Sequence, residues 1–126
     1  MKKALIFSLL LLISSNILKA QKMQQPILRH VVMFGWDKGT DSNSVNKVIN
    51  AFKALPGKIN LIKAFEYGTN NSPEKLNKGL SHCFLLSFQS EADRDAYLIH
   101  PAHKAFVAGL IPSPTAVTVF DYWTKN

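Results

Sequence analysis

The sequence predicts an α+β domain whose elements follow the order β-α-β-β-α-β. Two observations carry this. Short runs of β-branched and aromatic residues alternate with stretches whose apolar residues recur at helical spacing. The first and third strand-like runs are also apolar on both alternating sets, so each face of the sheet calls for cover.

The first strand is expected at Ile27 to Trp36, where Val31, Val32, Met33 and Phe34 follow one another, and Gly39 marks the turn after it. A helix follows. Val45, Val48, Ile49, Phe52 and Leu55 share one face, Asp41, Ser42 or Ser44 can cap its start, and Pro56-Gly57 ends it. A second strand is expected at about Leu61 to Tyr67, then a polar loop from Gly68 to Gly79, then a third strand from His82 to Phe88. Ser90-Glu91-Ala92-Asp93 opens a second helix, with acids placed to complement its dipole. Pro101 disfavours helical geometry at His100 and suits the first turn of a new helix, so two short helices meet there. Pro112 and Pro114 close the second of these, and Val117 to Tyr122 is the last strand. This is the ferredoxin-like order, with strands arranged 4-1-3-2 and the helices on one side. A second copy packed sheet against sheet would cover the other side, which predicts a homodimer.

The 126 residues suit one domain, long enough to bury a core without disulfides. Residues 1–20 read as a signal peptide: Lys2 and Lys3, the apolar run Ala4 to Ile13, then Leu18-Lys19-Ala20 before a cut at Ala20–Gln21. A short tail, 21–26, precedes the domain at 27–124. The expected location is therefore periplasmic or extracellular, with no stable membrane insertion after cleavage. Three of the 15 basic residues (Lys2, Lys3 and Lys19) lie in the leader and no acid does, which leaves 12 against 8 acids. That surplus is mild and scattered, without the dense stripe or stacking platform that nucleic acid requires. The one cysteine, Cys83, sits in an apolar run and reads as an inert thiol.

The chemistry concentrates in four histidines and one tyrosine: His30, His82, Tyr97, His100 and His103. Taken as parallel neighbours, the first and third strands place His30 and His82 at the same end of the sheet. The helix after the third strand returns Tyr97 and His100 to that end, and His103 opens the next helix there. If the strand faces of His30 and His82 turn to the helices, they line an apolar pocket with a few convergent polar groups. A His and a Tyr within hydrogen-bond reach can move a proton on a carbonyl compound, and a helix N-terminus favours neutral His103. Metal binding is the weaker reading: His100 and His103 have H-x-x-H spacing, but no carboxylate or second cysteine joins them. No cofactor is implied. Neither a Ser-His-Asp arrangement nor a phosphate-cradling glycine loop is visible. A third possibility is a module that holds an apolar small molecule unchanged.

Arg29-His30-Val31-Val32-Met33-Phe34, Gly79-Leu80-Ser81-His82, Phe88, Tyr97-Leu98-Ile99-His100-Pro101-Ala102-His103 with Phe106, and Phe120-Asp121-Tyr122 together resemble the stress-responsive dimeric α/β-barrel (Dabb) family. The resemblance spans Leu28 to Tyr122. It implies a ferredoxin-like fold and a dimeric α+β barrel. Many members have no known activity. One is a plant polyketide cyclase, olivetolic acid cyclase, which closes a ring by aldol-type chemistry. By that resemblance Tyr97 is the acid or hydrogen-bond donor and His103 the base, with His30 and His82 in the pocket. Phe34 and Phe106, with His100, complete the expected ligand-contacting set.

Overall fold

The computed structural model describes residues 25–125. The expected signal peptide, residues 1–20, lies outside the described residues, as does most of the short tail.

Four strands form one antiparallel sheet: β1 (Leu28–Gly35), β2 (Ala64–Thr69), β3 (His82–Phe88) and β4 (Ala116–Trp123), in the order β2-β3-β1-β4. Helices α1 (Ser42–Lys53), α2 (Glu91–Ile99) and α3 (Pro101–Ala108) complete the ferredoxin-like α+β fold. The strand order is the expected one.

The period-2 pattern of the central strands sorts their faces. Leu28, His30, Val32 and Phe34 on β1 and Phe84, Leu86 and Phe88 on β3 are buried. Val48, Ile49 and Phe52 of α1 pack onto them, and the Phe52 and Phe84 rings stack at 4.2 Å. Removing each such ring from water is worth about 1.5–3 kcal/mol. Asp41 caps α1 by accepting from the Ser44 amide at 2.8 Å. Pro56 lacks an amide proton and its ring would meet the carbonyl one turn back, so α1 stops at Lys53. Leu55 then enters the core through a short 3₁₀ turn.

On the opposite face, Val31 is flanked by Leu85 on β3 and Phe120 on β4. Phe120 and Tyr122 are exposed there.

One boundary differs from expectation. β2 begins at Ala64, not Leu61. Ile59 and Ile62 are buried from a turn, closed by the Ile62 amide donating to the Ile59 carbonyl, before the strand starts. Apolarity there signals burial without ladder pairing.

At the far end of β1 the chain approaches itself closely. A Cβ on Gly35 would fall 1.9 Å from the Gly79 carbonyl oxygen, so only glycine fits. This contact holds the start of β3 against the end of β1.

Candidate functional site

A cavity of about 480 Å³ opens between the sheet and the helices near the β4 edge. Its floor is His30, Val32 and Phe34 of β1. Tyr97 and Leu98 of α2 and His103, Phe106 and Val107 of α3 form the roof. Phe52 closes one side, and Val117, Val119 and Asp121 of β4 form the open side.

The break between α2 and α3 creates the roof. His100 is extended (φ −62, ψ 137) and Pro101 occupies the first turn of α3. Chain direction changes there, and the Tyr97 and His103 rings meet at 4.4 Å between centroids. His30 meets Tyr97 edge to face at 5.8 Å and Phe88 at 6.2 Å.

Both polar partners are tuned by burial. Burial pushes the Tyr97 phenol well above its ordinary value, so it stays protonated. Burial also lowers His103; the bond to the Leu98 carbonyl opposes this, and the nearby His30 and His100 add to it. His103 Nδ1 lies 3.0 Å from the Leu98 carbonyl, which can only accept, so the neutral ring keeps its proton on Nδ1. Nε2 is then the basic atom. The pair is a protonated phenol beside a neutral imidazole, the matched states for general acid–base chemistry.

His30 Nδ1 lies 2.6 Å from the Asp121 carboxylate, whose other oxygen takes a 2.6 Å hydrogen bond from Arg94. Burial alone would raise the Asp121 carboxyl, but the bonds from Arg94 and His30 outweigh it and hold it below the usual range. Sequence reasoning assigned no role to Asp121 or Arg94. The available signal was an acid on the same face of the last strand as Val117 and Val119, where an unpartnered carboxylate would be costly.

Of the residues expected in one pocket, His30, Phe34, Tyr97, His103 and Phe106 do line this cavity. His82 does not. β1 and β3 are antiparallel, not parallel: His82 pairs with Phe34, while His30 pairs with Leu86. Four residues of strand separate them, about 14 Å at ~3.4 Å per residue. His82 instead packs on Trp36 at 5.5 Å, bonds the Ser81 hydroxyl, and borders a second depression with Asn70, Asn71 and Met33. His100 is also absent from the cavity lining. Its Nδ1 accepts from the Ala102 amide at 3.1 Å, which makes it the N-cap of α3. The H-x-x-H pair therefore diverges. Among the described residues no group of three His, Cys, Asp or Glu is placed to hold a metal.

The fold and this site define a class: ferredoxin-like α+β domains with a His/Tyr-lined apolar cavity between sheet and helices. The family model for the stress responsive A/B barrel domain (Dabb) matches residues 28–124. The chain belongs to that family. The stress-response A/B barrel domain-containing protein HS1 of Arabidopsis thaliana is 30% identical over 95 residues, 75% of this chain and 87% of HS1. Among solved structures, the hydroxynitrile lyase from Passiflora edulis superposes with a TM-score of 0.74 at 21% identity, over 81% of this chain and 96% of the lyase. A dimeric ferredoxin-like protein of unknown function from Bacteroides fragilis gives 0.63 at 25% identity, over 78% and 96%.

Proposed function

We propose that this chain is a small-molecule lyase, cyclase or isomerase acting on a carbonyl compound. His103 Nε2 takes a proton from the substrate, and the Tyr97 hydroxyl donates to the carbonyl or alkoxide oxygen. The observation that carries this reading is the 4.4 Å contact between the two rings, with burial acting on both toward the required states. Phe34, Phe52 and Phe106 give the cavity an apolar wall for the body of the substrate. The hydroxynitrile lyase that shares this fold acts on a carbonyl adduct, which is consistent with such chemistry on this scaffold.

Mandelonitrile cleavage and solvent-deuterium exchange α to the carbonyl of an aryl methyl ketone are two direct assays. The wild type is expected to act in at least one. Tyr97→Phe and His103→Gln are each expected to lose 100-fold or more, in the range of about 10²–10⁴ for general acid–base groups. Full activity in both folded variants would remove this reading.

The apolar lining also favours a second reading, a module that binds an apolar small molecule without turnover. Native mass spectrometry of freshly purified protein tests it: an unchanged co-purified ligand, with both assays silent, supports binding alone.

The chain is further proposed to form a homodimer through the Val31–Leu85–Phe120 face, as one sheet face has no helices of its own to cover it. It is proposed to be exported after cleavage at Ala20–Gln21, on the strength of the Lys2-Lys3 start and the apolar run behind it. N-terminal sequencing of the extracytoplasmic protein should begin at Gln21. No helix of the described residues is long and apolar enough to cross a membrane.

A further inference from the structure

We propose that Asp121, held by Arg94, is the positioning residue that fixes His30 with its proton on Nδ1 and its bare Nε2 turned to the cavity. The inference rests on the acid–base reading of that cavity and adds a third polar group to it.

The pairing begins in the register of β1 and β4, which sets His30 opposite Asp121. Cross-strand partners project to the same face, so the two side chains meet on the helix side of the sheet. The separation is 2.6 Å, the length of a charge-assisted hydrogen bond. Asp121 is held ionised, so it can only accept, and the shared proton belongs to His30 Nδ1. The ring is 3% exposed and braced edgewise by Phe88 and Tyr97, which leaves it little room to turn over. No hydrogen bond engages His30 Nε2 among the described residues, nor is any buried side-chain nitrogen left unpartnered. Nε2 therefore opens onto the cavity that His30 lines.

Arg94 supplies what a carboxylate alone would lack. Asp121 is about one quarter exposed and would otherwise be free to rotate toward water. The guanidinium takes its outer oxygen at 2.6 Å and leaves the inner one for His30. Arg94 also reaches Asp95 at 2.8 Å, but that carboxylate is mostly exposed and screened. The other polar groups packed on the His30 ring are Tyr97 from α2 and, one ring further, His103 from α3; β3 presents only Leu86 and Phe88.

The consequence is a defined polarity. Beside Arg94, Asp95 and Asp121, which also line it, the cavity offers the Tyr97 hydroxyl as donor and Nε2 of His30 and of His103 as acceptors. It therefore selects a carbonyl compound or adduct that also carries a hydroxyl, which His30 receives. An alcohol adduct of an aldehyde or a hydroxy ketone fits; a hydrocarbon or a simple ether leaves the acceptors unpaired, which is penalised.

Histidine ring nitrogen NMR on the ligand-free chain tests the arrangement without any substrate, so a failure of the catalytic reading leaves it standing. The expected result at neutral pH is an Nδ1-protonated His30 whose proton exchanges slowly with water. In Asp121→Asn the Nε2-protonated form should become substantially populated. In Arg94→Met, which keeps the carboxylate, the Nδ1 proton should exchange at least tenfold faster. His103, bonded to the Leu98 carbonyl, should keep its own Nδ1 proton in both and so report that the fold is intact. Wild-type His30 protonated on Nε2, or an Nδ1 proton unmoved by Asp121→Asn, overturns the proposal. If Asp121→Asn does not fold, the Arg94→Met exchange rate decides, and an unchanged rate overturns it.

Discussion

Tyr97 and His103 meet as tilted rings, 48° between their planes, only because the chain is not helical between them. At 3.6 residues per turn, positions six apart in a continuous helix point about 120° apart and lie about 9 Å apart along the axis. The extended His100 and the fresh start at Pro101 bring the two rings to 4.4 Å instead. The pH dependence of any turnover follows. In the proposed mechanism His103 acts as the neutral base, and burial lowers it from the ordinary 6.5, so activity should rise with pH through a midpoint below 6.5. It should then stay level past pH 10, the ordinary value for tyrosine, because the Tyr97 phenol is raised above that. A kcat/KM profile with its acidic midpoint above 6.5, or a fall well before pH 10, would contradict the assignment of these roles.

The same burial affects stability. His103 and His82 both sit below their ordinary value in the folded state, so the unfolded chain binds more protons than the folded one just below pH 6.5. Stability is fully present above 6.5 and is lost as pH falls from there through the lowered folded values. Urea midpoints should decline between about pH 7 and pH 5, and His103→Gln should flatten that slope in part. A second decline, below the 3.8 of an ordinary aspartate, comes from Asp121 and should shrink in Asp121→Asn.

The order of elements and the inward face of each central strand were legible in the sequence because both depend on local period. Val32, Phe34, Phe84 and Leu86 are where alternation puts them. The meeting of Tyr97 and His103 was legible too, since Pro101 dictates the break. Strand direction was not. Treating the neighbours β1 and β3 as parallel put His82 beside His30, and the antiparallel register sends it to the far end. Asp121 was passed over for a related reason. Its partner lies 91 residues away, and only the β1–β4 register brings the two together. The β2 boundary shifted because Ile62 is buried by a turn, which hydrophobicity alone cannot tell from a strand.

Val119 stands on β4 opposite Val32, faces the cavity and is about half exposed. A larger side chain there projects into open space, not into packed core. Val119→Trp is therefore expected to change stability by no more than about 0.5 kcal/mol while occluding the cavity. Ligand retention by native mass spectrometry and turnover should both fall at least tenfold. Unimpaired binding in a folded Val119→Trp would place the ligand elsewhere, with the depression around His82 and Asn70 the next site to probe.

Gly35 offers a purely structural test. Its ideal Cβ would sit 1.9 Å from the Gly79 carbonyl oxygen, a backbone atom with little freedom to yield. Neighbouring bonds, from the Ser81 amide to the Phe34 carbonyl and from the Thr115 amide to the Gly35 carbonyl, pin both sides. Gly35→Ala should cost about 1–3 kcal/mol, as overpacking does elsewhere, read from the denaturant midpoint. Gly57→Ala, where nothing lies within 4 Å of the added carbon, is the control and should stay near wild type.

The outer face of the sheet is the proposed dimer interface. Leu85, Val31 and Phe120 form a row across three strands, and Phe120 is 61% exposed in the single chain. A paired sheet would bury this row. Leu85→Glu would then place an unpaired carboxylate in the interface, at a cost of several kcal/mol, and each dimer would carry two. Sedimentation should show a wild-type dimer and a monomeric variant, with association weakened at least 100-fold. The cavity lies on the opposite face, so His103 and Tyr97 should keep their wild-type NMR signatures in the monomer. A wild-type monomer at micromolar concentration, or a Leu85→Glu dimer as tight as wild type, would remove this face as the interface.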